Sequence, residues 1–298
     1  MNSSFLRRSS QLLIFFVLTL LSGCSLEQYL LLDAKGPIAS QLMWLIVISF
    51  LVMLIVVVPV IIMSIWFPIA NRAGRKDDSN YAPNWEHSNK IEAVVWAVPI
   101  LIIIVLGVIT YITSYSLDPR KPIESDKEPI VVQVVAMDWK WLFIYPEYEI
   151  ATVNEIAIPV GTPVEFLVTS DTVMNSFFIP NLGSQIYAMS GMENRVHLMA
   201  EEEGVYRGFS TNYSGFGYSG MKFETIATTD EGFLEWIDEV KAAPEKLDEK
   251  TLKDLRYKSR DVPARYFASV NPLLFSNIVE RFITAPPASE YNSTEPEH

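Results

Sequence analysis

Two long stretches near the start of the chain exclude charge altogether. From Gly36 to Asn71 no side chain is charged, and the centre, Leu42–Phe67, is dense in Leu, Ile, Val and Met. A second uncharged stretch, Ala93 to Leu117, contains AVVWAVPILIIIVLGVITYITSY. Each exceeds the ~20 apolar residues that carry a helix across a bilayer core. The pattern predicts transmembrane helices over 39–69 and 92–115 joined by a loop over 70–91, with Pro59 and Pro99 kinking them.

Beyond Leu117 the pattern shortens. Runs such as IVVQVVAMDWKWLFIY, EIAIPV, PVEFLVTS, SFFIP, RVHLMA, GVYRGFS and MKFETIAT recur between turn signals at Pro146, Pro159-Val160-Gly161, Pro180-Asn181-Leu182-Gly183, Gly191 and Gly204. That spacing predicts an antiparallel sandwich or Greek-key barrel over 116–229. After Asp230 the period becomes helical, with Phe233, Trp236, Ile237 and Val240 on one face. A second helix is expected from Asn271-Pro272, burying Leu274, Phe275, Ile278, Val279 and Phe282. These helices fill a region over 230–285, and the polar residues 286–298 read as a disordered tail.

The first 23 residues have the layout of a signal peptide: Arg7 and Arg8, an apolar run from Leu12 to Leu21, then small residues before Cys24. The ending Leu21-Ser22-Gly23-Cys24 resembles a bacterial lipobox, which makes Cys24 a candidate for lipidation and 24–38 a lipidated N-terminal segment. The bland alternative is a short anchor helix with an incidental cysteine, but ten apolar residues fall well short of a span. The loop between the two spans holds Arg72, Arg75, Lys76 and Lys90, against Lys35 alone in the segment from Cys24 to the first span. The positive-inside bias puts that loop in the cytoplasm and both termini outside.

Composition narrows the chemistry. Of 298 residues, 50% are hydrophobic and 19% charged, which fits neither an ordinary soluble enzyme nor a disordered chain. The net charge of −12 repels nucleic-acid phosphates. The region after Leu117 carries 29 acidic and 16 basic side chains, and at about 180 residues it is large enough for its own core. With one cysteine and three histidines, His87, His197 and His298, the chain cannot build disulfides, zinc fingers or iron–sulfur clusters.

Several segments together resemble subunit II of the haem–copper terminal oxidases, and within it the quinol-oxidizing, cytochrome bo branch. They are NYAPNWEHSNKIEAVVWAVPILIII (Asn80–Ile104), VVAMDWKWLFIYPE (Val134–Glu147), the stretch Ala151–Met192, YSGFGYSGMKF (Tyr213–Phe223) and the aromatic-rich ARYFASVNPLLF (Ala264–Phe275). The resemblance implies a membrane-anchored α+β protein: a two-helix transmembrane hairpin, a cupredoxin-like antiparallel β-barrel and C-terminal helices. The family's cytochrome c branch holds a dinuclear copper centre, with one His in an H-S-F run and a loop of form C-x-E-x-C-x-x-x-H-x-x-M. Here the two thiolate positions are Ser210 and Ser214, the Glu is Asn212, the loop His is Tyr218 and the upstream His is Asn175. Only Met221 remains, and ordinary packing explains it well. A neutral hydroxyl cannot bridge soft copper as a thiolate does.

On this resemblance the chain is a structural subunit with no cofactor or catalytic residue of its own, serving a proton-pumping ubiquinol oxidase of the bacterial inner membrane. Its haems and copper are expected in subunit I. Its partners are subunit I, the other oxidase subunits, membrane lipid and, through the complex, ubiquinol, but not cytochrome c. Glu92, just before the second span, matches a subunit II glutamate at the entrance of a proton-uptake channel. A helix-start acid favoured by the N-terminal dipole is its alternative, with Ser88 or Asn89 capping. Trp139, Trp141 and Tyr145 read as packing once the electron-entry route is gone. His87 reads as solvated or partner-facing, His197 as a surface residue, and Glu201-Glu202-Glu203 as a solvated turn. A non-enzymatic lipoprotein displaying a β-sandwich is the rival reading, and a copper-bearing cytochrome c oxidase subunit lacks the thiolates it needs.

Overall fold

A computed structural model describes residues 30–72 and 86–284. The chain divides into two compact units: Gln41–Pro122, and the segment up to Ser40 together with the chain from Ile123 onward.

The first unit is helical. Helix α1 spans Pro37–Ala70 and α2 spans Asn89–Ser116. Their 34 and 28 residues give lengths of about 51 and 42 Å, enough for a hydrocarbon core of about 30 Å. Both continue through their prolines, Pro59 and Pro68 in α1 and Pro99 in α2. Ala39 is the one buried side chain in α1, and α2 has none. Helices apolar on every side and this bare need lipid or other helices around them.

The second unit is a sandwich of two sheets. The six-stranded sheet runs β11 (Arg265–Phe267), β3 (Ile150–Val153), β2 (Lys140–Tyr145), β1 (Ile130–Met137), β5 (Val164–Ser170), β8 (Asn194–Leu198). The five-stranded sheet runs β4 (Glu155–Pro159), β10 (Lys222–Thr228), β9 (Gly204–Ser210), β6 (Asn175–Phe178), β7 (Ile186–Ala188). The pairing is mostly antiparallel, as the short runs predict, but β1 pairs with β5 and β4 with β10 in parallel. Parallel neighbours need a crossover between them, and here each partner reaches its place through strands of the opposite sheet, a feature the turn spacing does not reveal.

Strand β2 shows why its sequence does not alternate. Trp141, Phe143 and Tyr145 point into the core between the sheets, where Phe177 and Phe223 stack at 5.2 Å. Leu142 and Ile144 point to the opposite face, into a second core with Leu252, Leu255, Phe267, Phe275 and Ile278. A strand covered on both faces has no polar face to display. Of the C-terminal elements, α3 (Asp230–Lys241) packs into the first core, whereas α4 (Glu249–Leu255), α5 (Leu274–Thr284) and Phe267 of β11 form the second cover. In α3 the four expected residues are buried, and Thr229 caps it by accepting from Gly232 N–H at 3.1 Å. Helix α5 begins at Leu274, after a turn in which Asn271 Oδ1 accepts from Leu273 N–H at 3.0 Å. It buries Leu274, Phe275 and Ile278, while Val279 and Phe282 are half-buried. Helix α4 and strand β11, seven and three residues long, are too short for periodicity to announce them.

Candidate functional site

One end of the sandwich gathers the positions singled out by the sequence. It is built from the β1–β2 turn, the β5–β6 connection and the long β9–β10 loop. Asn175 opens β6 and Ser210 closes β9, and the register that sets Phe177 opposite Ser210 brings the two together. Both are buried, and Ser210 Oγ donates to Asn175 Oδ1 at 3.2 Å. The same hydroxyl lies 3.3 Å from the carbonyl of Asn212 and accepts from Ser176 N–H at 3.4 Å. The amides are spent on the neighbouring main chain: Asn175 Nδ2 donates to Val173 O at 3.1 Å and Asn212 Nδ2 to Met174 O at 2.9 Å.

Ser214 and Tyr218 are held by other partners. The Ser214 carbonyl accepts from the Trp139 indole at 3.0 Å, and its hydroxyl is buried without a partner among the described residues. Tyr218 starts a 3₁₀ turn and its ring lies 5.8 Å from that of Tyr213. Met221 is fully buried, and its carbonyl accepts from Ser210 N–H at 3.2 Å. Trp139 sits at φ +63°, a left-handed conformation that costs a bulky residue energy. The loop fixes it there: a Cβ on Gly217 would fall 2.2 Å from the indole, so only glycine lets the loop close over the ring. The donors at this end are therefore hydroxyls, carboxamides and one thioether; Ser210 and Asn175 bond to each other, and the two amides bond to nearby main-chain carbonyls. Among the described residues no group of three or more His, Cys, Asp or Glu stands close enough to hold a metal ion.

Glu92 lies in the first turn of α2, its N–H donating to Ser88 O at 3.0 Å. Ser88 occupies the cap position without a side-chain hydrogen bond, and Asn89 Oδ1 is instead 2.6 Å from His87 Nε2, so neither caps the helix as expected. Cys24 and the tail 286–298 lie outside the described residues. One expectation is corrected: His197 is buried, 8% exposed, and lies 3.9 Å from Glu165, its cross-strand neighbour in β5. The acidic turn is exposed as expected, and within it Glu202 is 2.6 Å from Lys35 Nζ and its carbonyl accepts from Tyr206 OH at 2.6 Å.

The chain pattern missed two buried charges that hold the C-terminal region. Asp171 is 1% exposed and accepts from Arg256 Nε at 2.8 Å and Arg281 Nη2 at 2.8 Å. Lys140, also 1% exposed, donates to the carbonyls of Asp138, Leu255 and Tyr257 at 3.1, 2.8 and 2.9 Å. Burial pushes the Lys140 ammonium down to about 8, against the opposing pull of Asp138. Opposite charges thus close on the same three residues, 255–257. A lone lysine inside the apolar run around Trp141 was the available signal.

The comparisons follow the same layout. Residues 148–227 match the family model described as cytochrome c oxidase subunit II, periplasmic domain, and residues 241–285 match the COX aromatic rich motif. A cytochrome bo(3) ubiquinol oxidase subunit 2 of Pseudomonas aeruginosa is 52% identical over 263 residues, covering 88% of this chain and 78% of its own. One from Pseudomonas putida is 50% identical over 271 residues, covering 91% and 85%. A ubiquinol oxidase subunit 2 of Acetobacter aceti is 51% identical over 265 residues, covering 88% and 85%.

Proposed function

Because the chain belongs to the ubiquinol oxidase subunit 2 family, we propose that it acts in its oxidase without a redox centre of its own. It is subunit 2 of a terminal quinol oxidase, with two membrane-spanning candidate helices and a domain of the periplasmic subunit II type. A free-standing lipoprotein is disfavoured by identity that runs through most of the chain.

The hydrogen-bonded set at Asn175, Ser210 and Asn212 carries the proposal. Where the cytochrome c branch needs soft thiolates and imidazoles, this chain has neutral hard donors, Ser210 bonded to Asn175 and the Asn212 amide spent on the Met174 carbonyl. Met221 alone is a weak ligand, and its full burial suits packing. The residues present do not fit a dinuclear copper centre. Electrons then enter from ubiquinol at the partner subunit that holds the haems and copper, and this chain supports that subunit from the periplasmic side.

Three further roles belong to the same reading. Cys24 receives a lipid, as the lipobox suggests. The Arg72–Lys90 connection faces the cytoplasm, which sets both termini in the periplasm. Glu92, exposed in the first turn of α2, collects protons at the cytoplasmic mouth of the complex, where a titratable carboxylate avoids the cost of the bilayer centre. Metal analysis of the intact oxidase tests the central claim. A single copper per complex is expected, and additional copper removed by mutating Met221 would overturn it.

A further inference from the structure

The segment from Leu30 to Ala39 is stitched into the β domain. Lys35 N–H donates to Asn181 O at 2.7 Å, and Glu201 N–H donates to Lys35 O at 2.8 Å. Asn181 Nδ2 donates to Asp33 O at 2.7 Å. Gly36 passes so close to the facing main chain that a Cβ would fall 2.3 Å from Met199 O. This strap is therefore part of the domain surface, and where it leads is set by the fold.

Leu30, the first described residue of the strap, lines an open cleft of about 710 Å³ over the outer face of the five-stranded sheet. There Arg207 stands opposite Glu224 and Phe209 opposite Lys222, so the four share one face. Arg207, Lys222 and Glu224 are exposed, and among the described residues none of the three side chains has a hydrogen-bond or ion-pair partner. Glu155, also lining the cleft, is occupied by the Trp236 indole at 3.2 Å and by the Tyr266 hydroxyl.

Cys24 lies six residues before Leu30, a reach of about 20 Å at full extension. A diacylglycerol on Cys24 enters the bilayer within that distance and so holds the cleft rim near the headgroup layer. Two cations suit a phosphate, and a carboxylate without a partner beside them suits an ammonium. We propose that this cleft binds the headgroup of phosphatidylethanolamine, with the phosphate on Arg207 and Lys222, the ammonium on Glu224, and Phe209 against the glycerol. The proposal rests on the lipidation of Cys24 for its nearness to the membrane.

The test introduces p-benzoylphenylalanine at Phe209 in the whole oxidase, irradiates it in its native membrane, and weighs the labelled peptide. Adducts of phosphatidylethanolamine are expected, reduced at least fivefold when Arg207→Glu and Lys222→Glu are combined. Haem content checks assembly, and Arg207→Gln with Lys222→Gln replaces the reversal should assembly fail. Adducts with another subunit in place of lipid, equal labelling of phosphatidylglycerol, or labelling indifferent to the charge changes would overturn the proposal. The intact mass of the same subunit reports Cys24 separately. A lipid-free Cys24 with phosphatidylethanolamine at Phe209 removes the lipidation and keeps the cleft, and a lipidated subunit without adducts removes the cleft alone.

Discussion

Replacing Asp171 by Ala should loosen the C-terminal region from the sandwich while leaving the rest intact. The carboxylate is 1% exposed and takes Arg256 Nε at 2.8 Å, Arg256 Nη2 at 3.3 Å and Arg281 Nη2 at 2.8 Å, and its main-chain carbonyl takes a further bond from Arg281 at 3.0 Å. Removing one partner of a buried pair costs about 3–5 kcal/mol when the other charge stays buried. Here the guanidinium side chains are 34% and 39% exposed, so both rehydrate. The loss is then mainly that of charge-assisted hydrogen bonds, each worth about 1.5–3 kcal/mol, with rehydration returning part, for a net of roughly 2–4 kcal/mol. Arg256 follows α4 and Arg281 lies in α5, so the loss falls on opening of those two helices. Hydrogen exchange on the assembled complex reads it directly: the opening free energy of segments 249–255 and 274–284 should drop by that amount, with the β9–β10 amides unchanged. Arg281→Ala alone should cost less, and the Asp171→Ala, Arg281→Ala pair should be non-additive. A drop below about 1 kcal/mol, or one shared equally by β9 and β10, would refute the latch.

Lys140 supplies a pH test. Its folded value of about 8 lies below the ordinary lysine value of 10.5, so the folded state holds fewer protons between these limits. Its contribution to stability is full above about 10.5 and is lost as pH falls through about 8. Protection of residues 255–257 should therefore rise with pH across that window in the parent and rise less in Lys140→Met, and equal slopes would dismiss the effect. Glu92→Gln should slow quinol-driven oxygen reduction several-fold with haem content unchanged, and wild-type turnover would leave only the helix-start role. Cys24→Ser should abolish the lipid mass yet leave the subunit in the membrane on its two helices, and release into the soluble fraction would contradict the spans. Combining Ser210→Cys, Ser214→Cys, Asn175→His, Tyr218→His and Asn212→Glu should produce a purple copper centre, checked by absorption spectroscopy and metal content, and a colourless protein would mean the loop no longer sets those ligands.

What the chain pattern settles by itself is local or chemical. Two uncharged runs suffice for α1 and α2, because a bilayer imposes one length and one polarity on any helix that crosses it. Phe233, Trp236, Ile237 and Val240 announce α3 because their spacing is the helix period. With a single cysteine in the chain, a pair of thiolates is excluded before any folding is considered. The tertiary structure decides whatever depends on residues far apart in sequence. Strand β2 looks like an undivided apolar run until the C-terminal region covers its second face. Asp171 and Lys140 become buried and paired only when partners 85, 110, 115 and 117 residues away reach them. Nothing near Gly36 in sequence shows that the Met199 carbonyl lies against it. Burial and pairing are properties of what arrives from elsewhere, and a period of two or of 3.6 residues carries no record of that arrival.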